Sequence, residues 1–102
     1  MARILVLYNQ PADTAAFDAH YNGTHAPLAR KIPGLRGFQV SAAPPHALAG
    51  TAPYLMAELT FDSMAELQAA MASPEGQATA ADVANFAQAG VSIYVVETKS
   101  EL

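Results

Sequence analysis

The sequence predicts an α+β domain of ferredoxin-like βαββαβ order, a four-stranded antiparallel sheet with its helices on one face. Three features point there. Four short apolar segments have strand composition, the stretches between them carry helix caps and helical spacing, and the first and last strands are apolar on both alternations.

The first strand is residues 2–8, ARILVLY, with Ile4, Val6 and Tyr8 on one face and Leu5 and Leu7 on the other. Asn9-Gln10-Pro11 ends it, and Asp13 stands as an N-cap whose carboxylate accepts from the free amides of a first helical turn. Phe17, Tyr21, Thr24 and Leu28 follow at spacings of four, three and four, a single stripe facing the sheet. Asn22-Gly23 and Pro27 interrupt this helix, which either kinks there or restarts as a second short helix near Thr24. Pro33-Gly34 signals a turn, and Leu35 to Val40 reads as the second strand, with Arg36, Phe38 and Val40 alternating against Gly37 and Gln39. Residues 42–53 form a loop. The third strand, residues 54–61, sets Leu55, Ala57, Leu59 and Phe61 on an apolar face and Tyr54, Met56, Glu58 and Thr60 on a mixed one. Ser63 and Glu66 make a capping box ahead of a stripe of Met64, Leu67, Gln68 and Met71. Ser73-Pro74-Glu75 then restarts a helix as cap, first-position proline and first-turn acid, with Val83 and Phe86 as its apolar anchors. Val91 to Val96 is the fourth strand.

Right-handed crossovers put both helical stretches on the same side of the sheet and leave the other side bare. Because the first and fourth strands are apolar there too, a second copy of the chain is expected to pack sheet to sheet and enclose a barrel-like space. Composition agrees, since 52% of the 102 residues are apolar and only 14% charged, against about 25% charged in an average domain. The whole chain, residues 1–102, reads as a single domain. A net charge of −4 and five scattered cations exclude a phosphate-binding surface for nucleic acid. No run reaches the roughly 18 apolar residues of a membrane span, and the apolar stretch near the start is too short for a secretion signal, so a cytoplasmic location is expected. The absence of cysteine excludes disulfides and thiolate chemistry.

Two stretches, FDAHYNGTHAPLARKIPGLRG from Phe17 and LTFDSMAELQAAMASPEGQATAADVANF from Leu59, are similar to the EthD family. The His-Ala-Pro-Leu segment at His25, the Ile-Pro-Gly-Leu turn at Ile32 and the Ser-Pro-Glu-Gly-Gln run leading to Asp82 and Phe86 carry the resemblance, which covers nearly the whole chain. It implies a dimeric α+β barrel, a fold shared with muconolactone isomerases, cofactor-free quinone-forming monooxygenases and some polyketide cyclases. The family takes its name from a protein required, beside a cytochrome monooxygenase system, for degrading ethyl tert-butyl ether, and some fungal relatives are dehydratases or decarboxylases of aromatic polyketides. The transferable part is a small hydrophobic or aromatic ligand.

His25 is the first candidate for chemistry, because an imidazole titrates near neutrality and this one sits at a helix interruption, one turn from Tyr21. The plain alternative is a ring that caps a backbone carbonyl. Tyr21 lies on the core stripe and its hydroxyl needs a partner or an opening. Asp82 shares a helix sector with Asn85 and Phe86; it either orients His25 across packed helices or is a solvated acid. His20 falls about 140° around an α-helical wheel from His25, so a one-face metal pair is not expected. Arg36 and Glu58 read as an ion pair across the sheet or, if they face the barrel space, as groups that set its polarity. Tyr54, Met56, Phe38, Tyr8 and Tyr94 are candidates to line the barrel space, with Phe86 a further ligand candidate; the plain alternative for all is packing. No phosphate loop, nucleophile elbow or dinucleotide fingerprint is present, and no cofactor or metal is expected. Three roles follow. A cofactor-independent enzyme of isomerase, lyase or monooxygenase type would place His25 at a sheet–helix pocket, an accessory module holding a ligand for a partner oxygenase would have a cavity without convergent polar groups, and a pure assembly module would have no open space.

Overall fold

Strands β1 (Ala2–Tyr8), β2 (Gly37–Val40), β3 (Leu55–Phe61) and β4 (Val91–Glu97) form one antiparallel sheet in the order β2-β3-β1-β4. The computed structural model describes the chain from Met1 to Leu102. The order is that of the ferredoxin-like arrangement, with β1 and β3 in the middle and the edges left to β2 and β4. Register follows the alternation in the sequence: Ile4 lies between Leu59 and Val95, Val6 between Ala57 and Ile93, and Tyr8 between Leu55 and Val91. These residues face the helices. Arg3, Leu5 and Leu7 point the other way, beside Met56, Glu58, Thr60 and Tyr94. Strand β2 starts at Gly37, later than its apolar run suggests, after a turn in which Gly34 takes a φ of 79°, a conformation that favours glycine.

Helices α1 (Thr14–His20), α2 (Ala26–Ala29), α3 (Met64–Ala72) and α4 (Pro74–Asp82) cover one face of the sheet. The caps work as read. Asp13 accepts from the Ala16 amide, Ser63 from the Glu66 amide, and Ser73 from the Gly76 amide as α3 gives way to α4. Gly76 is required at that junction, since a Cβ there would stand 2.0 Å from the Ala70 carbonyl oxygen. The core joins Tyr8, Phe17, Tyr21, Leu59, Phe61, Leu67 and Phe86. Its aromatic part is an edge-to-face cluster in which Tyr8 meets Phe17 and Tyr21 at centroid distances of 5.5 and 5.7 Å, a geometry worth about 1 kcal/mol per pair beyond burial.

The structure corrects the sequence in two places. The helix after Asp13 neither kinks nor restarts at Asn22-Gly23; it widens into one π turn, Tyr21–His25, and runs on into α2. The Ala26 amide donates to the Tyr21 carbonyl, five residues back. One extra residue in the turn shifts the buried stripe by one place, so that His25 and Ala29 are buried where even α-helical spacing puts Thr24 and Leu28. The second correction concerns the charges. Arg36 pairs with Asp62 at the sheet margin, while Glu58 pairs with Arg3 on the bare face, each at about 3 Å, because the register sets Glu58 opposite Gln39 rather than Arg36.

Candidate active site

The π turn decides the geometry of the site. Residues five apart come to the same side of such a turn, so His20 and His25, on different faces of an α-helix, both reach toward the end of α4. Asp82 is there. Its Oδ2 lies 2.9 Å from His25 Nδ1, and His20 Nε2 lies 2.9 and 3.0 Å from its two oxygens. The Asn85 amide donates to Oδ1 at 3.0 Å from one turn further on. An ionised carboxylate only accepts, so each of these nitrogens presents a hydrogen to it. Burial raises the proton affinity of Asp82, but the hydrogen bonds from Asn85, His20 and His25 outweigh it and hold the carboxyl below its ordinary range. Phe86 closes the cluster, its ring 5.1 Å from that of His20 and 4.8 Å from that of His25.

His25 is only 5% exposed. Burial lowers its proton affinity, Asp82 raises it, and the net shift is downward, so the neutral ring prevails at neutral pH. With Nδ1–H held by Asp82, the free lone pair is on Nε2. That atom lies 3.4 Å from the Tyr8 hydroxyl. Burial also pushes the Tyr8 phenol up, so it stays protonated and donates to His25.

His25, Tyr8 and Tyr21 share the wall of a cavity of about 180 Å³ between the sheet and the helices. The rest of its lining is almost wholly apolar: Ile4, Val6, Leu59 and Phe61 from the central strands, Phe38 from β2, and Ile93 and Val95 from β4 among them. No Lys, Arg, Asp or Glu side chain lines it. Cavities of about 150 Å³ hold a benzene ring, so this space has the size of a one-ring molecule. The Tyr21 hydroxyl makes no side-chain or backbone hydrogen bond, although the residue is buried and burial pushes its phenol up to about 12. No buried side-chain polar atom lacks a partner, so that hydroxyl is not fully enclosed.

His25, Asp82 and Tyr21 are thus brought together by the fold, and Phe38 is at the cavity. The other three ligand candidates do not line this cavity, although Met56 is on the face where the barrel space between two copies is expected. Phe86 packs behind the histidines, Tyr54 packs edge-on to Phe17 and donates to Asp18 at 2.9 Å, and Met56 points to the bare face of the sheet. Sequence reasoning missed His20, set apart from His25 by a wheel that the π turn does not obey; Tyr8, a candidate to line the barrel space, stands instead on the helix side beside His25. The five-residue spacing of His20 and His25 around Asn-Gly was the available signal.

Comparison with known proteins bears on the family and the fold. A family model described as the EthD domain matches residues 9–90. The chain is 46% identical over 104 residues to an uncharacterized 11.0 kDa protein in the thcB-thcC intergenic region of Rhodococcus erythropolis, covering 100% of this chain and 99% of the relative. It is also similar to the crystal structure of an ethyl tert-butyl ether D (EthD) family protein from Bacillus halodurans, with a TM-score of 0.87 and 40% identity over 97% of this chain and 99% of that one. A dimeric ferredoxin-like protein of unknown function from Thermobifida fusca, 15% identical, superposes with a TM-score of 0.70 over 95% of this chain and 90% of that one and shares the fold alone.

Proposed function

Because this chain belongs to the EthD family and keeps a carboxylate-held imidazole at the wall of an apolar cavity, we propose that it is an acid–base enzyme acting on a small, neutral, hydrophobic or aromatic molecule. His25 is its catalytic base. One observation carries the reading: the Nδ1 of a buried, neutral His25 is fixed by Asp82 at 2.9 Å while the ring faces the cavity. This is the arrangement by which a carboxylate sets an imidazole's tautomer and steadies the imidazolium that forms.

The step balances without a change of oxidation state. A C–H or O–H bond of the bound molecule breaks, its proton goes to His25 Nε2, and the electron pair stays on the substrate as an enolate or phenolate. Tyr21, which shares the cavity wall and whose hydroxyl has no internal hydrogen-bond partner, donates to the developing oxyanion, which in an apolar space is worth far more than in water. Tyr8 yields its place on Nε2 and supplies a second donor. Return of the proton to another atom completes an isomerisation; transfer of that proton from His25 to a departing hydroxyl, which leaves as water while the electron pair forms the new double bond, completes an elimination. The lining has no cation to balance a carboxylate, which favours neutral ketones, phenols and ethers over acids. The site serves in breakdown of such molecules, and two copies packed through their bare sheet faces are its working form.

The test is ligand titration of the wild-type protein and His25→Ala with one-ring ketones, phenols, ethers and carboxylic acids, following turnover beside binding. Binding of the neutral compounds by both proteins, with turnover only in the wild type, is the expected result. Equal binding and no turnover in either would favour the second reading, an accessory protein that holds a ligand for a partner oxygenase.

A further inference from the structure

His20 takes no part in that proton transfer, yet it is bonded to the same carboxylate as His25. The two rings look onto different spaces. His25 lines the apolar cavity between sheet and helices. His20, with 29% of its side chain exposed, lines a second cavity of about 490 Å³ on the other side of the cluster, together with Asp13, Asn85 and Phe86. Asp82 is the hydrogen-bonded bridge between a ring that meets substrate and a ring that meets solvent, and Phe86 fills the space beside both.

We infer that His20 is a positioning residue that acts on the His25 base through Asp82: the two imidazoles share one carboxylate, and a proton reaching His20 from the outer cavity withdraws that carboxylate from His25. This rests on the reading of His25 as proton carrier. The charges support it. With both rings neutral the cluster carries one negative charge, and one added proton neutralises it. A second added proton would leave two imidazolium rings on one anion, a like-charge pair in a largely buried setting. The remaining titratable groups around the pair do not relieve this. Tyr8 from β1 and Tyr21 from the π turn are held in their neutral forms, Asp13 already caps α1, and no Lys or Arg lines either cavity. Asp82 and His20 are the charged groups that act on His25. Substrate protons and solvent protons therefore compete for the same anion from opposite sides.

The test is an NMR titration of the three imidazoles between about pH 4 and 8, on the wild-type protein, His20→Gln and Asp82→Asn, with His46→Gln to assign the third ring. Glutamine keeps an N–H donor toward Asp82 but takes no proton. The expected result is a rise of the His25 midpoint in His20→Gln, by about half a unit to one unit, a three- to ten-fold gain in proton affinity. In the wild type the His25 resonance should show a second inflection at the midpoint of His20, the mark of coupled sites; this reading does not depend on any variant folding. An unmoved His25 midpoint in His20→Gln, or a wild-type His25 curve with no inflection at the His20 midpoint, overturns the inference. Its failure is separable from that of the proposed function. Coupling present with full turnover in His25→Ala removes the base and leaves the pair; coupling absent with His25→Ala inactive removes His20 and leaves the base.

Discussion

Asp82 accepts from three side chains, and its place in the cluster makes the fold sensitive to acid. Both Asp82 and His25 bind protons more weakly folded than unfolded. The unfolded chain therefore takes up protons first, and stability falls as pH drops. For His25 the loss begins near the unfolded imidazole value of about 6.5, and for Asp82 near about 3.9. Thermal unfolding followed from pH 7 downward is expected to show a decline already between pH 6.5 and 5, absent from His25→Gln, and a steeper one below pH 4 in both proteins. Tyr21 supports a kinetic prediction. If its hydroxyl donates to an oxyanion, Tyr21→Phe should lower kcat by about 10²-fold, the usual cost of one such donor, with KM nearly unchanged; an equal fall in kcat/KM through KM alone would assign Tyr21 to binding. Much of this was legible in the sequence. His25, Tyr21 and Asp82 stood out because their residue types suit proton transfer and the two helical stretches had to lie side by side. Tyr8 was legible only as a lining candidate, because a tyrosine at the end of an apolar strand has no local feature that tells a histidine's hydrogen-bond partner from core.

Among the elements, the π turn at Tyr21–His25 shapes the candidate site, and two glycines show how differently the helices tolerate change. Gly23 lies on its exposed side with nothing within 4 Å of an added Cβ, and its backbone is not in the left-handed region. Gly23→Ala should therefore raise stability by about 0.5–1 kcal/mol, through lower entropy of the unfolded chain. Gly76 is the opposite case, since a Cβ would run into the Ala70 carbonyl. Gly76→Ala forces α3 and α4 apart and should cost about 1–3 kcal/mol or more, as overpacking does. Denaturant melts of both variants check the pair; a stabilised Gly76→Ala would mean that the junction is looser than its geometry. The caps and strands were readable because each depends on a few neighbouring side chains: Asp13, Ser63 and Ser73 accept from their helices as local rules require. The π turn was not readable, because a single extra residue in a helix is stabilised by what the displaced side chains reach. Here that is Asp82, 57 residues away from His25 along the chain.

At the scale of the molecule, the question is what covers the second face of the sheet. The chain is a slab, 36 × 35 × 19 Å, with helices on one side only. A monomer of 10.7 kDa should expose about 5,500 Å², yet this one exposes 6324 Å². The excess of about 800 Å² is one partner's share of a standard protein interface. The exposed loop after β2 contributes to it, and so does the bare face, where Leu5 and Leu7 lie beside Met56 and Tyr94, the last two 38% and 53% exposed. A face of this kind, with the Arg3–Glu58 ion pair satisfied within the chain, suits a second identical face across a two-fold axis. If two copies meet there, a charge placed on that face is doubled by symmetry and desolvated in the contact. Tyr94→Asp should then shift the protein from dimer to monomer in light scattering or sedimentation. The His25–Asp82 cluster lies on the other side of the sheet, so the imidazole titration should survive in that monomer. A variant that stays dimeric, or a wild type that is monomeric at high concentration, would mean that the bare face is not the contact, and β4, with Ile93 and Val95 about half exposed at the cavity mouth, would be the edge to test next.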